Sequence, residues 1–292
     1  MQGARAPRAV TGFELLVPTS VEEAVAALRA GAAEPPAVIA GGTDLLLDID
    51  DGRVAPRRVL SLRRLPWRSL DWTDGALTVG STLPLRSLED DPEVRRRLPG
   101  LWQAVHAVGS VALRHRATLG GNLGRAAPAS DLIPMLLALE AEVDLVGPRG
   151  DRRLSVDAVV RASRHTALLP GELIRSVRIP ESRPSAYLWQ RVRPANDISQ
   201  IAVGVAFSPR ERRWSVAVGG MPPRPALLAE VARDLGDATP DEEVLRTAAA
   251  RASRAVSITS DQRASEEYRR RLVATLLLRA VRAVPLPGEA RP

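Results

Sequence analysis

Ala40-Gly41-Gly42-Thr43-Asp44 and Thr118-Leu119-Gly120-Gly121-Asn122 are the two stretches on which the reading of this chain turns. Each follows or interrupts an apolar run. Each offers consecutive backbone N–H groups with no Cβ in the way. A Gly-Gly turn lets two or three amides point into one concavity, and such a nest binds phosphate oxygens. One nest alone is ambiguous between a ligand site and a plain tight turn. Two nests imply a ligand with two phosphates, such as a dinucleotide.

Around the first pair the chain reads as a βαβ unit, residues 1–65. Phe13 to Val17 is a short strand. Ser20-Val21-Glu22-Glu23 is a capping box, with Ser20 at the N-cap and Glu23 reaching back. Val21, Ala24, Val25 and Leu28 share one helical face, and Gly31 stops the helix. Pro35-Pro36 breaks the chain before a strand at Ala37 to Ala40, and Gly41-Gly42 sits at its end. The unit has no G-x-G-x-x-G and no Walker lysine, which argues against a Rossmann site and a P-loop.

Residues 66–181 surround the second pair. Asp74-Gly75 is a hairpin turn between strands at Ser69–Trp72 and Ala76–Gly80. Leu98 to Val108 is helical. Ser130 caps a helix over Asp131 to Glu140, with Pro134 tolerated in its first turn. Glu142–Val146 and Arg152–Val156 form a hairpin around Gly147–Gly150, and Leu173–Ile179 is a further strand. Residues 182–292 read as a β-meander, Tyr187–Arg193, Ile201–Phe207 and Arg213–Val218. Three helices follow, near Ala226–Leu235, Asp241–Ala255 and Gln262–Ala283, and then a loose tail from Val284. The fold class is therefore α+β: a two-part ligand-binding domain and a C-terminal domain with a three-stranded antiparallel sheet and a helical bundle.

Composition narrows the chemistry. The 292 residues are 45% hydrophobic, as a globular chain requires, and include no cysteine. Thiolate catalysis, disulfides and cluster ligation by this chain are excluded. No apolar run reaches the length of a membrane span, and no signal peptide follows the basic Met1–Val10 segment, so the expected location is cytoplasmic. The net charge is +7, yet all 41 basic residues are arginine, spread along the chain, and Tyr and Phe number two each. Bases stack on aromatics set beside basic groups, and that combination is missing, so nucleic acid is not the expected partner. His106, His115 and His165 lack metal-ligand spacing, and no Ser/His/Asp logic surrounds Ser110 or Ser130. No catalytic residue and no metal site are expected. The five tryptophans are read as core or interface residues.

The motifs resemble a known family. Ala-Gly-Gly-Thr-Asp-Leu after a strand, Val108-Gly109-Ser110 leading to Ala117-Thr118-Leu119-Gly120-Gly121-Asn122-Leu123, and Ala127-Pro128-Ala129-Ser130-Asp131-Leu132 occur in that order. Ser260-Asp261-x-Arg263-Ala264-Ser265-x-x-Tyr268-Arg269 follows in the last third. The whole is similar to the FAD-binding medium subunit of molybdenum hydroxylases of the xanthine dehydrogenase and carbon monoxide dehydrogenase type. The resemblance implies FAD as cofactor, with its pyrophosphate held by Ala40, Gly41, Gly42, Thr43 and Asp44 and by Thr118, Leu119, Gly120, Gly121 and Asn122. Asp44 is expected to brace its turn by accepting backbone N–H groups. Asp131 is expected to meet a ligand hydroxyl, and Ile174 to pack near the flavin. The chain departs from the family where a basic residue often follows the Tyr-Leu pair, because that place holds Trp189, with Arg191 and Arg193 nearby.

The resemblance further implies a large molybdopterin subunit and a small [2Fe–2S] subunit as partners, as a dimer of heterotrimers. Electrons would pass from the clusters through FAD to NAD+, a quinone or oxygen. Two alternatives stay open at this stage: a stand-alone flavin oxidoreductase on the same fold, and a scaffold subunit without FAD. A stand-alone oxidase needs a substrate pocket with its own base, and the intact glycine turns argue against a scaffold without flavin.

Overall fold

The computed structural model describes residues 12–30, 34–193, 197–220, 223–284 and 286. Gly31, Met1–Val10 and most of the tail after Val284 lie outside these residues.

Three short parallel strands open the fold: β1 (Glu14–Leu16), β2 (Ala37–Ile39) and β3 (Arg58–Ser61), in the order β1-β3-β2. Helix α1 (Val21–Ala30) connects the first two, and α2 (Leu45–Asp50) follows the Gly41-Gly42 turn. Ser20 Oγ accepts the Glu23 N–H at 3.1 Å, as a capping box requires. Glu23 reaches one residue further back than expected, to the Thr19 N–H at 2.8 Å.

The middle of the chain builds a five-stranded antiparallel sheet, β4-β5-β10-β6-β7, from β4 (Leu70–Thr73), β5 (Ala76–Gly80), β6 (Glu142–Val146), β7 (Arg152–Ser155) and β10 (Leu173–Ile179). Both expected hairpins form. Between β5 and β6 run α3 (Leu85–Asp90), α4 (Pro92–Arg97), α5 (Pro99–Ala107), α6 (Val111–Arg114), α7 (Leu119–Arg125) and α8 (Leu132–Ala138). Between β7 and β10 lie α9 (Val156–Val159) and a small hairpin, β8 (Val160–Ala162) with β9 (His165–Thr166). Ser130 Oγ accepts the N–H groups of Leu132 and Ile133, each at 3.2 Å, and so starts α8 as the sequence predicts.

The second glycine pair is not a turn. Thr118 is the N-cap of α7, and Gly120 and Gly121 occupy the first turn of that helix. Thr118 Oγ1 accepts the Gly121 N–H at 3.0 Å, which makes the helix start locally favourable despite two glycines.

The C-terminal sheet has four strands where three were expected: β11 (Ser185–Gln190), β12 (Ile201–Ser208), β13 (Arg213–Gly219) and β14 (Ala226–Leu227), in that order. Ala226 and Leu227 pair with β13 instead of opening a helix. Proline at 225 removes an N–H and favours the extended state there. Helices α10 (Ala229–Asp234), α11 (Glu242–Ala255) and α12 (Glu266–Ala283) follow and bury their apolar faces against this sheet in one core. The Ser260–Arg269 segment is a turn up to Ser265 followed by the first turn of α12. Asp261 accepts the Arg263 N–H at 2.8 Å and pairs with buried Arg269, and Ser265 caps the helix.

Helix α8 joins the two halves. Every residue from Leu132 to Ala138 is buried. It seats on glycines of the C-terminal sheet: a Cβ on Gly219 would overlap the Pro134 ring, and one on Gly204 would lie 3.1 Å from Met135 Cα. Just beyond α8, Glu140 accepts from Arg183 Nη2 and Arg213 Nη2, both at 2.8 Å, and from Ser215 Oγ at 2.9 Å. Burial alone would raise the Glu140 pKa, but the hydrogen bonds from Arg213 and Arg183 outweigh it and lower it from 4.5 to about 2. A depressed carboxylate stabilises the fold above the unfolded value and loses that contribution as pH falls toward the folded one. Glu140→Gln should therefore lower the melting temperature by a few degrees near neutrality. The gap to wild type should close as pH falls from about 4.5 toward 2, followed by thermal denaturation across pH.

Candidate functional site

The two glycine motifs face each other across one cleft of about 580 Å³, a volume typical of small-molecule sites. One wall is Val38 to Leu45 with Leu47. The other includes Ser81, Val108, Gly109, Thr118, Gly120, Gly121, Asn122, Gly124 and Arg125, and Leu168 and Glu172 to Ile174 close the end. Of the sequence-predicted residues, Ala40, Gly41, Gly42, Thr43, Asp44, Thr118, Gly120, Gly121, Asn122 and Ile174 all line it. Leu119 and Asp131 do not.

The glycines serve packing first. A Cβ on Gly41 would lie 2.7 Å from the Arg116 carbonyl carbon and closer still to its oxygen. A Cβ on Gly120 would lie 2.7 Å from Ser81 O. Both glycines thus let backbone meet backbone where the walls join. Gly42 alone of the four has a left-handed φ, +82°, and it turns the chain from β2 into α2. A Cβ on Gly121 would meet Thr118 Oγ1 at 3.1 Å and Ala40 Cβ at 3.9 Å, so the motifs nearly touch there.

The amides are divided differently from the two-nest expectation. The Gly120 N–H donates to Ser81 O at 3.2 Å and the Gly121 N–H to Thr118, so both are engaged. Among the described residues, the amides of Gly41, Gly42 and Thr43 donate to no protein acceptor. The first turn therefore keeps its donors for a ligand, and the second motif offers the Asn122 side chain. Asn122 Oδ1 accepts from Ser130 Oγ at 2.6 Å, which leaves the amide NH₂ as its donating end.

Asp44 does not brace its turn. It stands at the start of α2 without a side-chain capping bond, and its carboxylate lies 3.5 Å from Arg125 Nε. Asp131 departs further from expectation. Its carboxylate accepts from Tyr187 Oη at 2.8 Å, Ser199 Oγ at 2.7 Å and Arg191 Nη2 at 2.8 Å, all protein groups. Tyr187 is fully buried, and the side chains of Asp131 and Arg191 are 11% and 6% exposed. Burial raises the Asp131 pKa against the opposing Arg191 charge. Burial and the neighbouring Asp131 carboxylate drive Tyr187 well above its usual value. Arg191 also donates to Ala107 O at 2.6 Å, directly before the cleft residues Val108 and Gly109. Trp189 stacks on Tyr187 with ring centroids 5.7 Å apart, and the Arg191 guanidinium lies 5.6 Å from the Trp189 ring centroid. This group stands behind the cleft wall and holds it.

Sequence reading missed Ser81, Gly124 and Arg125 as lining residues. The Ser81 hydroxyl is buried and has no protein partner. Arg125 reaches Asp48 of α2, 77 residues away in sequence. Folding alone brings Ser81 to the cleft, whereas Arg125 stands one helical turn beyond Asn122 on α7.

With this geometry in view, comparison with known proteins becomes informative. The family described as "FAD binding domain in molybdopterin dehydrogenase" matches residues 11–182, and "CO dehydrogenase flavoprotein C-terminal domain" matches residues 186–284. The chain belongs to the FAD-binding family of molybdopterin dehydrogenases. It is a flavoprotein subunit of an oxidoreductase of the molybdenum hydroxylase class, and its cofactor is FAD. The nicotinate dehydrogenase FAD-subunit of Eubacterium barkeri is 31% identical over 181 residues, 60% of each chain. The nicotine 6-hydroxylase medium subunit of Paenarthrobacter nicotinovorans is 28% identical over 269 residues, 90% of this chain and 94% of that one. The fold is shared with carbon monoxide dehydrogenase from Hydrogenophaga pseudoflava, at a TM-score of 0.88 and 23% identity, covering 95% of this chain and 98% of that one.

Two measurements test the site. Asp131→Ala should destabilise the flavin-free protein by about 3–5 kcal/mol, because it leaves Arg191 buried without its counter-charge. Chemical denaturation of the apoprotein reads this. Gly41→Ala should force the walls apart at Arg116 and cut the flavin content of purified protein severalfold, measured by absorbance of the released cofactor.

Proposed function

We propose that this chain is the electron-relay subunit of its complex. It would take electrons from [2Fe–2S] clusters of a small partner subunit and pass them to NAD+, a quinone or oxygen. A large partner subunit would carry the molybdopterin and perform the hydroxylation. The partners would assemble as a dimer of heterotrimers in the cytoplasm. The observation that supports this reading is the cleft between the two glycine motifs. It presents the Gly41, Gly42 and Thr43 amides, the orphaned Ser81 hydroxyl and the Asn122 amide to a polyphosphate and polyol ligand. Ile174 supplies apolar wall near one end.

In this reading FAD is held by Ala40, Gly41, Gly42, Thr43, Thr118, Gly120, Gly121, Asn122 and Ile174, with Asp44 at the mouth. Leu119 contributes by anchoring the start of α7, since its side chain is buried in the middle core. Asp131 contributes through the wall that it braces. Residues 1–65 and 66–181 form the two parts of the FAD-binding domain, and 182–292 the C-terminal domain, each range holding one principal sheet.

The flavin supplies electron transfer in single and paired steps; the protein holds it, orients it and shields it from water. Glu172, the acidic residue at the closed end of the cleft, is bound at two points by Arg152, at 2.7 and 2.8 Å. Those bonds lower its pKa despite opposing burial, so it is a poor proton acceptor and no general base is placed there. No described helix is long and apolar enough to cross a membrane.

Purified chain should be yellow and release FAD on denaturation. Alone it should hydroxylate no purine, aldehyde or carbon monoxide. Co-expression with the large and small subunits should give a complex whose flavin is bleached by substrate. Turnover of a small substrate by the isolated chain would overturn the relay role in favour of a stand-alone flavin oxidoreductase.

A further inference from the structure

The charge in the cleft is unbalanced for a diphosphate. Among the described residues its lining carries two carboxylates, Asp44 and Glu172, and a single cation, Arg125. Glu172 is already matched by Arg152. A ligand with two negative phosphates entering this cleft thus meets one positive side chain, at the end of α7.

The Arg125 guanidinium is held firmly on one side. Its Nη1 lies 2.6 Å from Asp48 Oδ2 and its Nη2 donates to Asp48 Oδ1 at 3.2 Å, and the Asp48 side chain is 5% exposed. Asp48 does not depend on Arg125 alone, because Arg53 Nη1 also donates to it at 2.7 Å. Two arginines therefore share one buried carboxylate, which holds Arg125 in place without neutralising it alone. Arg53 is paired further with Asp51, and Arg125 with Asp44.

The other side of Arg125 is loosely occupied. Its Nε edge faces Asp44 Oδ1 at 3.5 Å, which is an ion pair but too long for a hydrogen bond. The Asp44 side chain is 58% exposed. A guanidinium has five N–H donors, and Asp48 takes two of them. Arginine's rigid fork matches phosphate oxygens when one edge is anchored and the other is open.

We propose that Arg125 is a phosphate-contacting residue of the cleft: Asp48 fixes the guanidinium, and Asp44 gives up the Nε edge to the diphosphate of FAD. The inference rests on the FAD reading of the cleft and adds a binding residue from outside both glycine motifs. The cross-cleft ion pair between α2 and α7 then becomes part of ligand recognition. Charge supplied by a side chain complements the neutral amides of Gly41, Gly42 and Thr43.

The test compares a flavin with phosphates to one without. Full-length apoprotein is titrated with FAD and, separately, with riboflavin, followed by flavin fluorescence. Arg125→Gln should weaken FAD binding about 10-fold or more while riboflavin binding stays within about twofold. The FAD affinity of wild type, but not of the variant, should fall with added salt. Arg125→Lys keeps the charge and should lose less; it carries the same comparison if the glutamine variant does not fold. Unchanged FAD affinity, or equal weakening of both flavins, overturns the proposal and leaves Arg125 as a tie between helices. A wild-type chain that binds neither flavin overturns the FAD reading instead.

Discussion

The Gly41 backbone pressed against the Arg116 carbonyl is the contact on which the site depends. It sets how near the β2–α2 turn comes to the segment that leads into α7. With any side chain at Gly41 the two walls would part, and the donors on one side would lose register with those on the other. Gly120 against Ser81 does the same work one turn further on. The cleft is therefore made by apposing two separately folded pieces of backbone, and its width is fixed by hard contact. Such a cleft is pre-formed, which limits the ordering cost when a ligand enters.

Much of this was legible in the sequence, for physical reasons that can be named. The strand Leu173–Ile179 and both hairpins of the five-stranded sheet were readable because period-two patterning and turn residues are local signals. The short helices α2, α3, α4, α6 and α9 were not read, since four to six residues are too few to show a helical period. The glycine pair at 120–121 looked like a turn because glycine is a poor helix former; the Thr118 cap and the close approach to Ser81 override that preference. Asp131 was placed correctly at the start of a helix. Its partners at 187, 191 and 199 arrive from β11 and from the connection between β11 and β12, and no spacing along the chain could reveal them.

The arginine surplus also gains an account. Arg114, Arg183 and Arg269 are buried, and each is bound to carboxylates: Arg114 to Glu89, Arg183 to Glu140 and Glu181, Arg269 to Asp261. Arginine suits these interior positions better than lysine because its charge is delocalised and its donors form a fork. These three of the 41 basic residues are thus internal ties between elements.

The bridge from Ala107 through Arg191 to Asp131, Tyr187 and Ser199 makes the cleft wall and the C-terminal sheet a single mechanical piece. A local opening that exposes the backbone at 107–109 must also break charged bonds anchored in β11 and beside β12. Elements linked in this way open as one cooperative unit, with one opening free energy shared by their amides. The C-terminal sheet contributes no side chain to the lining of the cleft. It is nonetheless tied to that wall through the Arg191–Ala107 hydrogen bond, so sheet and wall loosen together.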